Sequence, residues 1–201
     1  MTSLASGVVL ALQGNVMLSR FGAKEYISQL VAISLVRELS PVFTALFFSG
    51  IAGSRITAEL GTMNVNDQML ATRTLGVNPI EYLIVPRFLA TLIVLPILTV
   101  ISEIVGIAGG YFIGVYEAHI PGSYYISQTL RGLRFIDFFS GFAKILVFSF
   151  IVAWVCCYQG YMTRGGSLGV GRYTTRAVAL SIINVVVFNA FLTKIILAIW
   201  E

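Results

Sequence analysis

Five stretches of this sequence are almost free of charged residues, and most of them are long enough to cross a lipid bilayer. They lie at about residues 4–18, 27–55, 86–115, 138–162 and 175–200. A transmembrane helix needs about 20 apolar residues. Of all residues, 57% are hydrophobic and only 11% are charged, whereas soluble domains carry about 25% charged residues. The sequence therefore predicts an all-α integral membrane protein with about five transmembrane helices, forming one transmembrane domain over residues 1–201.

The first of these stretches is too short to cross the membrane alone. It covers only residues 4–18 before a polar loop that contains Arg20, Lys24 and Glu25. We expect the first transmembrane helix to be incomplete, because residues are missing upstream or because something else completes it.

A polar window at residues 55–87 interrupts the apolar pattern between the second and third spans. Asn64 and Asp67 have the spacing of a helix start, and Gly76 followed by Pro79 is a typical helix stop. The predicted helix of about 11 residues is about 16 Å long, which is too short to cross a bilayer. We interpret it as an element that docks onto a soluble partner or the membrane surface.

Charged residues also occur within the apolar spans. Arg37 and Glu38 lie deep in the second span, where each costs at least about 2.5–3.5 kcal/mol, and Pro41 removes a backbone hydrogen bond one turn later. Either a polar cavity or a buried ion pair with other helices would explain these residues. Glu103 is a further acid within the third span. Lys144, near the start of the fourth span, could either extend to the membrane interface or turn inward towards Glu38 or Glu103.

Three glycines, Gly106, Gly110 and Gly114, repeat every four residues in the third span. This spacing places them on one helix face, where another helix can approach closely. We expect a packing surface there, between helices or between two copies of the chain.

The distribution of basic residues predicts the orientation. With five spans, one side holds Arg55, Arg73, Arg87, Arg164, Arg172 and Arg176, and the other holds Arg20, Lys24, Arg131 and Arg134. The positive-inside rule places the short polar helix in the cytoplasm. The net charge of +4 without Lys/Arg runs argues against nucleic-acid binding.

The sequence also argues against an enzyme. It shows no Ser-His-Asp set and no cluster of metal ligands. The glycine-rich segment 164–172 lacks the lysine of a phosphate-binding loop, so we predict a tight loop there. We expect no cofactor in this chain.

Several motifs, in order, resemble the MlaE (YrbE) family of permeases. They are Arg37-Glu38-Leu39-Ser40-Pro41, Ala58-Glu59-Leu60-Gly61-Thr62-Met63, Asp67-Gln68, Gly76-Val77-Asn78-Pro79, Val85-Pro86-Arg87 and Thr174-Thr175-Arg176. These permeases belong to ABC lipid transporters that are associated with MCE-domain proteins, and the resemblance covers nearly the whole chain.

The resemblance implies a permease that moves phospholipid, or a related lipid, between the inner and outer membranes of a diderm bacterium. It implies a homodimer, two cytoplasmic ATPase subunits that bind ATP and Mg²⁺, and an MCE-domain protein on the opposite face. The expected location is the inner membrane, with a plastid inner envelope as an alternative.

The resemblance also assigns roles to residues. Those expected at the lipid cavity are Arg37, Glu38, Glu103, Asp137 and Lys144. Those expected to couple to the ATPase are Glu59, Gly61, Met63, Asp67, Gln68 and Arg73.

A rival hypothesis is an ion- or proton-coupled transporter that works without an ATPase. Its support is the charge within the spans, at Arg37, Glu38, Glu103 and Lys144. Such carriers usually contain internal repeats, and none is visible here. Transport that persists without any ATPase would favour this rival.

Overall fold

The described chain folds as a series of helices. The computed structural model describes the backbone of residues 1–200 and the side chains of residues 1–198; the side chain of Trp200, expected at the membrane interface, lies outside the described residues. The helices are α1 (Thr2–Arg20), α2 (Lys24–Val65), α3 (Gln68–Thr74), α4 (Ile80–Tyr116), α5 (Gly122–Gly132), α6 (Phe135–Tyr161) and α7 (Gly166–Trp200). Within residues 1–200 there is no strand. Five helices, α1, α2, α4, α6 and α7, are long and apolar enough to cross a membrane, which confirms the predicted all-α membrane fold. The expectation that the first stretch is too short to cross a membrane was wrong, because α1 contains 19 residues and is one of these five helices.

The second span is much longer than predicted. α2 contains 42 residues, or about 63 Å at 1.5 Å per residue, about twice the thickness of the hydrocarbon core. The helix continues ten residues beyond Arg55 to Val65. Much of the polar window is therefore an extension of the second span.

The predicted start of the docking helix was wrong. Asn64 lies in the last turn of α2, and its side-chain amide donates hydrogen bonds to the carbonyls of Tyr161 and Thr163. α3 begins instead at Gln68, after Asp67, whose left-handed backbone (φ 55°) makes the turn without a side-chain cap. The helix has seven residues, because tertiary contacts occupy the side chain that was expected to start it.

The end of α3 agrees with the prediction, while two other boundaries do not. Gly76 adopts φ 79° after α3, a conformation that glycine adopts without strain. The polar segment between the third and fourth predicted spans, for which the sequence predicts a loop at residues 117–137, contains α5. The glycine-rich segment 164–172 is mostly helix, because α7 begins at Gly166 and only Arg164 and Gly165 precede it. Gly165 and Gly166 make the turn into this helix with positive φ angles of 92° and 67°.

A widened turn in α2 accompanies Pro41. Residues Leu35–Leu39 form a π-helical turn in which the Ser40 N–H bonds to the Leu35 carbonyl. Proline has no N–H and its ring clashes with the carbonyl four residues earlier, and π turns are one way in which a helix accommodates such a defect. The irregularity predicted from Pro41 is present, and it contains Arg37 and Glu38.

The chain divides into two compact units. The first unit comprises residues 1–43 and 97–143. Its core contains Val31 and Leu35 of α2 and Tyr125 of α5. A Cβ built on Gly7 of α1 would lie 1.8 Å from the carbonyl oxygen of Gly106, so these two backbones touch.

The predicted glycine face packs inside this chain. Besides Gly106, a Cβ on Gly110 would lie 2.7 Å from Val31, and one on Gly114 would lie 2.4 Å from the Tyr125 ring. The glycines thus admit α1, α2 and α5 against α4, as expected for small residues at helix crossings.

The second unit comprises residues 44–96 and 144–200. A buried cluster of Leu60, Met69 and Cys157 joins α2, α3 and α6. The Thr57 hydroxyl donates to the Cys156 carbonyl (3.0 Å). Both cysteines are buried and unbridged.

Tyr125 allows a test of the first unit. Its side chain is buried and packs edge-to-face on Tyr111 with ring centroids 5.6 Å apart, while its hydroxyl has no hydrogen-bond partner among the described residues. An unpartnered buried hydroxyl costs about 1–3 kcal/mol, so Tyr125→Phe should leave the free energy of unfolding unchanged or raise it by about 1 kcal/mol. Thermal unfolding in detergent measures this; a clearly less stable variant would show that the hydroxyl is bonded.

The same variant should change the response to alkaline pH. Burial raises the pKa of Tyr125 from 10.0 to about 12, so the unfolded chain loses this proton first. The stability that depends on the neutral phenol is complete below pH 10 and is lost as the pH rises through about 12. The difference in stability between Tyr125→Phe and wild type should therefore widen over that interval.

Candidate functional site

An ion pair joins α2 to α6 in the first unit. Arg37 Nη1 lies 3.5 Å from Asp137 Oδ1, and the two side chains are 26% and 8% exposed. The π turn presents Arg37 from α2. The sequence left open whether Arg37 forms an ion pair with another helix, and the structure shows that it pairs with Asp137 of α6.

Local structure explains the position of Asp137. It lies in the first turn of α6, where a carboxylate is favoured by the helix dipole, and it accepts a hydrogen bond from the Arg134 N–H (3.0 Å). One turn later, a Cβ on Gly141 would lie 2.2 Å from the Val36 carbonyl oxygen. This glycine lets α6 approach the π turn closely enough for the pair to form.

An apolar groove lies beside the π turn. Its volume is about 310 Å³ and it is lined by Ala5, Ser6, Val9 and Leu10 of α1 and by Leu39 and Phe43 of α2. Leu39 belongs to the same π turn as Arg37. Arg37 of the ion pair and Leu39 of the groove therefore lie two residues apart on α2, so one turn of this helix contributes both a charged group and a hydrocarbon surface.

The other predicted cavity residues are placed separately. Glu38 is half-buried in the π turn, and Glu103 is buried on α4 in the first unit. Lys144 belongs to the second unit, is buried, and donates to the Thr193 hydroxyl of α7 (2.9 Å). Sequence reasoning missed Thr193, although a polar residue in an apolar span was the available signal.

The predicted coupling residues fall into two groups in the second unit. Gly61 is buried against Thr163, and Met63 packs on the Leu60–Met69–Cys157 cluster. Outside lie Glu59, which pairs with Arg87 (3.5 Å), and the exposed Asp67, Gln68 and Arg73. Gly61 is buried and Met63 is half-buried, whereas the four outward residues are exposed.

The outer surface of α3 and the turn after it includes apolar side chains that the sequence analysis did not select as site residues. Leu70 is 58% exposed and Leu75 is 81% exposed, while Met69 anchors the same helix in the buried cluster. These leucines are exposed on a short helix at the end of a membrane span, where a partner protein could cover them. We call Asp67, Gln68, Leu70, Arg73 and Leu75 the docking surface.

His119 is exposed in the turn before α5. Within the described residues, no group of three His, Cys, Asp or Glu side chains could hold a metal ion.

The sequence of this chain is similar to those of known permeases. A family model described as Permease MlaE matches residues 1–195. A probable ABC transporter permease protein of Rickettsia typhi is 41% identical, with the match covering 98% of this chain and 76% of that protein. The intermembrane phospholipid transport system permease protein MlaE of Haemophilus influenzae is 37% identical, covering 97% and 75%. The chloroplastic protein TRIGALACTOSYLDIACYLGLYCEROL 1 of Arabidopsis thaliana is 35% identical, covering 96% and 55%.

Proposed function

We infer that this chain, which belongs to the MlaE permease family, moves phospholipid or a related lipid between the inner and outer membranes of a diderm bacterium. It is a membrane protein and an ABC transporter permease. We propose that two copies pair with two cytoplasmic ATPase subunits, which bind ATP and Mg²⁺, and that an MCE-domain protein receives or delivers lipid on the opposite face. The inner membrane is the proposed location.

The observation that carries the lipid proposal is that one π turn of α2 contributes Arg37 to the ion pair with Asp137 and Leu39 to the apolar groove of α1 and α2. A guanidinium binds phosphate through a planar fork of N–H donors, and the groove offers hydrocarbon contact for an acyl chain. Arg37 remains partly exposed in its pair, so a headgroup can reach it. Asp137 holds the guanidinium in place and offsets part of its cost in the membrane.

The docking surface supports coupling to an ATPase. α3 is held to the span helices through Met69 while Leu70 and Leu75 point outward. A partner that grips the leucines can therefore move the helices that hold Met69. Hydrolysis takes place in the partner, and this chain contributes movement without covalent chemistry.

Purification in mild detergent, followed by reconstitution, tests the proposed function. We expect an ATPase subunit and phospholipid to copurify, and lipid transfer from reconstituted vesicles to require ATP. Transfer that is independent of any ATPase would instead support an ion-coupled carrier. A protein that purifies without lipid and transfers none would contradict the lipid proposal.

A charge placed on the docking surface should prevent partner binding. Leu70→Asp puts a carboxylate where we expect an apolar contact, and loss of an interface anchor costs about 2 kcal/mol or more, or about 30-fold in affinity. Titration of the purified ATPase onto the permease in nanodiscs measures this. Ser127→Asp on α5, exposed and predicted to lie on the other side of the membrane, is the matched control. Equal affinity of both variants would mean that the docking surface is not the binding site.

A further inference from the structure

Asn64 at the end of α2 caps the end of α6. Its Nδ2 donates to the carbonyl of Tyr161 (3.0 Å) and to that of Thr163 (2.9 Å). Tyr161 is the last residue of α6, and the final carbonyls of a helix have no partner within it. One amide from another helix therefore satisfies both acceptors.

The two helices also pack too closely here to slide past each other. A Cβ on Gly61 would lie 2.8 Å from Thr163 Oγ1, one on Gly160 would lie 2.7 Å from Leu60 Cβ, and one on Gly53 would lie 2.8 Å from Cys156 Sγ. Gly53 and Gly61 lie on α2 and Gly160 lies on α6, so the two chain segments are in close contact over about two helical turns.

α3 is connected to the contact between α2 and α6 through one side chain and a short stretch of backbone. Met69 packs with Leu60 of α2 and Cys157 of α6 in one cluster, and Asn64 lies four residues before the first residue of α3. A displacement of α3 would therefore act on α2 and α6 at the same position along their length.

We propose that Asn64 is a positioning residue that joins α2 and α6, so that a push on the docking surface moves both helices as one body. α2 and α6 carry Arg37 and Asp137, the pair proposed to meet the lipid headgroup. The inference rests on the proposed function and adds to it the route by which ATP hydrolysis reaches the lipid. Without the amide, α3 would still bind its partner, and α2 would move without α6.

Asn64→Asp tests this role, because it keeps the shape of the side chain and sets a carboxylate against two carbonyls. Asn66→Asp, an exposed position two residues later, is the matched control. For Asn64→Asp we expect ATPase binding and ATP hydrolysis within twofold of wild type, and at least a tenfold loss of lipid transferred per ATP hydrolysed. A merely structural role would lower assembly, hydrolysis and transfer together and leave that ratio unchanged, which would overturn the inference.

A covalent lock provides the converse test. In Gly53→Cys the new residue faces the native Cys156, close enough for a disulfide once the side chains adjust. Oxidation should crosslink α2 to α6, and the locked protein should keep its ATP-dependent transfer because the two helices already move together. Failure to crosslink, or loss of transfer on locking that reduction reverses, would overturn the inference. Absence of ATP-dependent transfer in wild type would overturn the proposed function itself, and this inference with it.

Discussion

Replacing Gly7 by alanine is expected to disrupt the first unit. The new Cβ would lie 1.8 Å from the Gly106 carbonyl oxygen, and a backbone atom cannot move aside as a flexible side chain can. α1 would have to separate from α4, with loss of the contacts of Gly109 and Gly110 along the same face. Overpacking typically costs about 1–3 kcal/mol, and we expect the upper end of this range because the clash is with a backbone atom. The measurement is thermal unfolding in detergent, together with the yield of monodisperse protein.

Gly171→Ala is the control for this prediction. Gly171 lies in α7 with no atom within 4 Å of its built Cβ, so alanine should be neutral or stabilise the helix by up to about 1 kcal/mol. A Gly7→Ala protein as stable as Gly171→Ala would show that α1 does not lie against the glycine face of α4.

The sequence predicted features that depend on local chemistry. The spans follow from the length of the apolar stretches, because the bilayer fixes how many residues a helix needs. The glycine face of α4 follows from helical periodicity, and the stop at Gly76 follows from the backbone freedom of glycine. Pro41 indicated a local break in the hydrogen bonds of the helix because proline has no N–H, although the π turn that forms there was not predicted.

The features that were missed depend on contacts between distant segments. Asn64 reads as a helix start until Tyr161 and Thr163 supply carbonyls for its amide. Asp137 lies 100 residues from Arg37 in sequence, so spacing could not pair them. Exposure of Leu70 and Leu75 likewise depends on which face of α3 Met69 anchors. The periodicity of apolar residues along the sequence does not show which distant residues come into contact.

Arg37→Ala is expected both to destabilise the protein and to reduce its bound lipid. Removing the guanidinium leaves the Asp137 carboxylate, 8% exposed, without its ion-pair partner. Breaking a fully buried pair costs about 3–5 kcal/mol, and we expect less than this here because Arg37 is 26% exposed. If the guanidinium also holds the lipid phosphate, copurified phospholipid per protein should fall at least fivefold by mass spectrometry. The single variant cannot separate these two effects, since an unstable protein also loses lipid.

Asp137→Asn separates them, because it removes the carboxylate and keeps the guanidinium. The double variant Arg37→Ala/Asp137→Asn removes both charges, so its stability should recover to within about 1 kcal/mol of wild type. We expect Asp137→Asn to retain lipid and the stable double variant to remain depleted. If the double variant instead regains wild-type lipid, Arg37 serves only to balance Asp137. The groove of α1 and α2 would then have to hold its amphiphile through hydrocarbon contact alone, which allows little discrimination between headgroups.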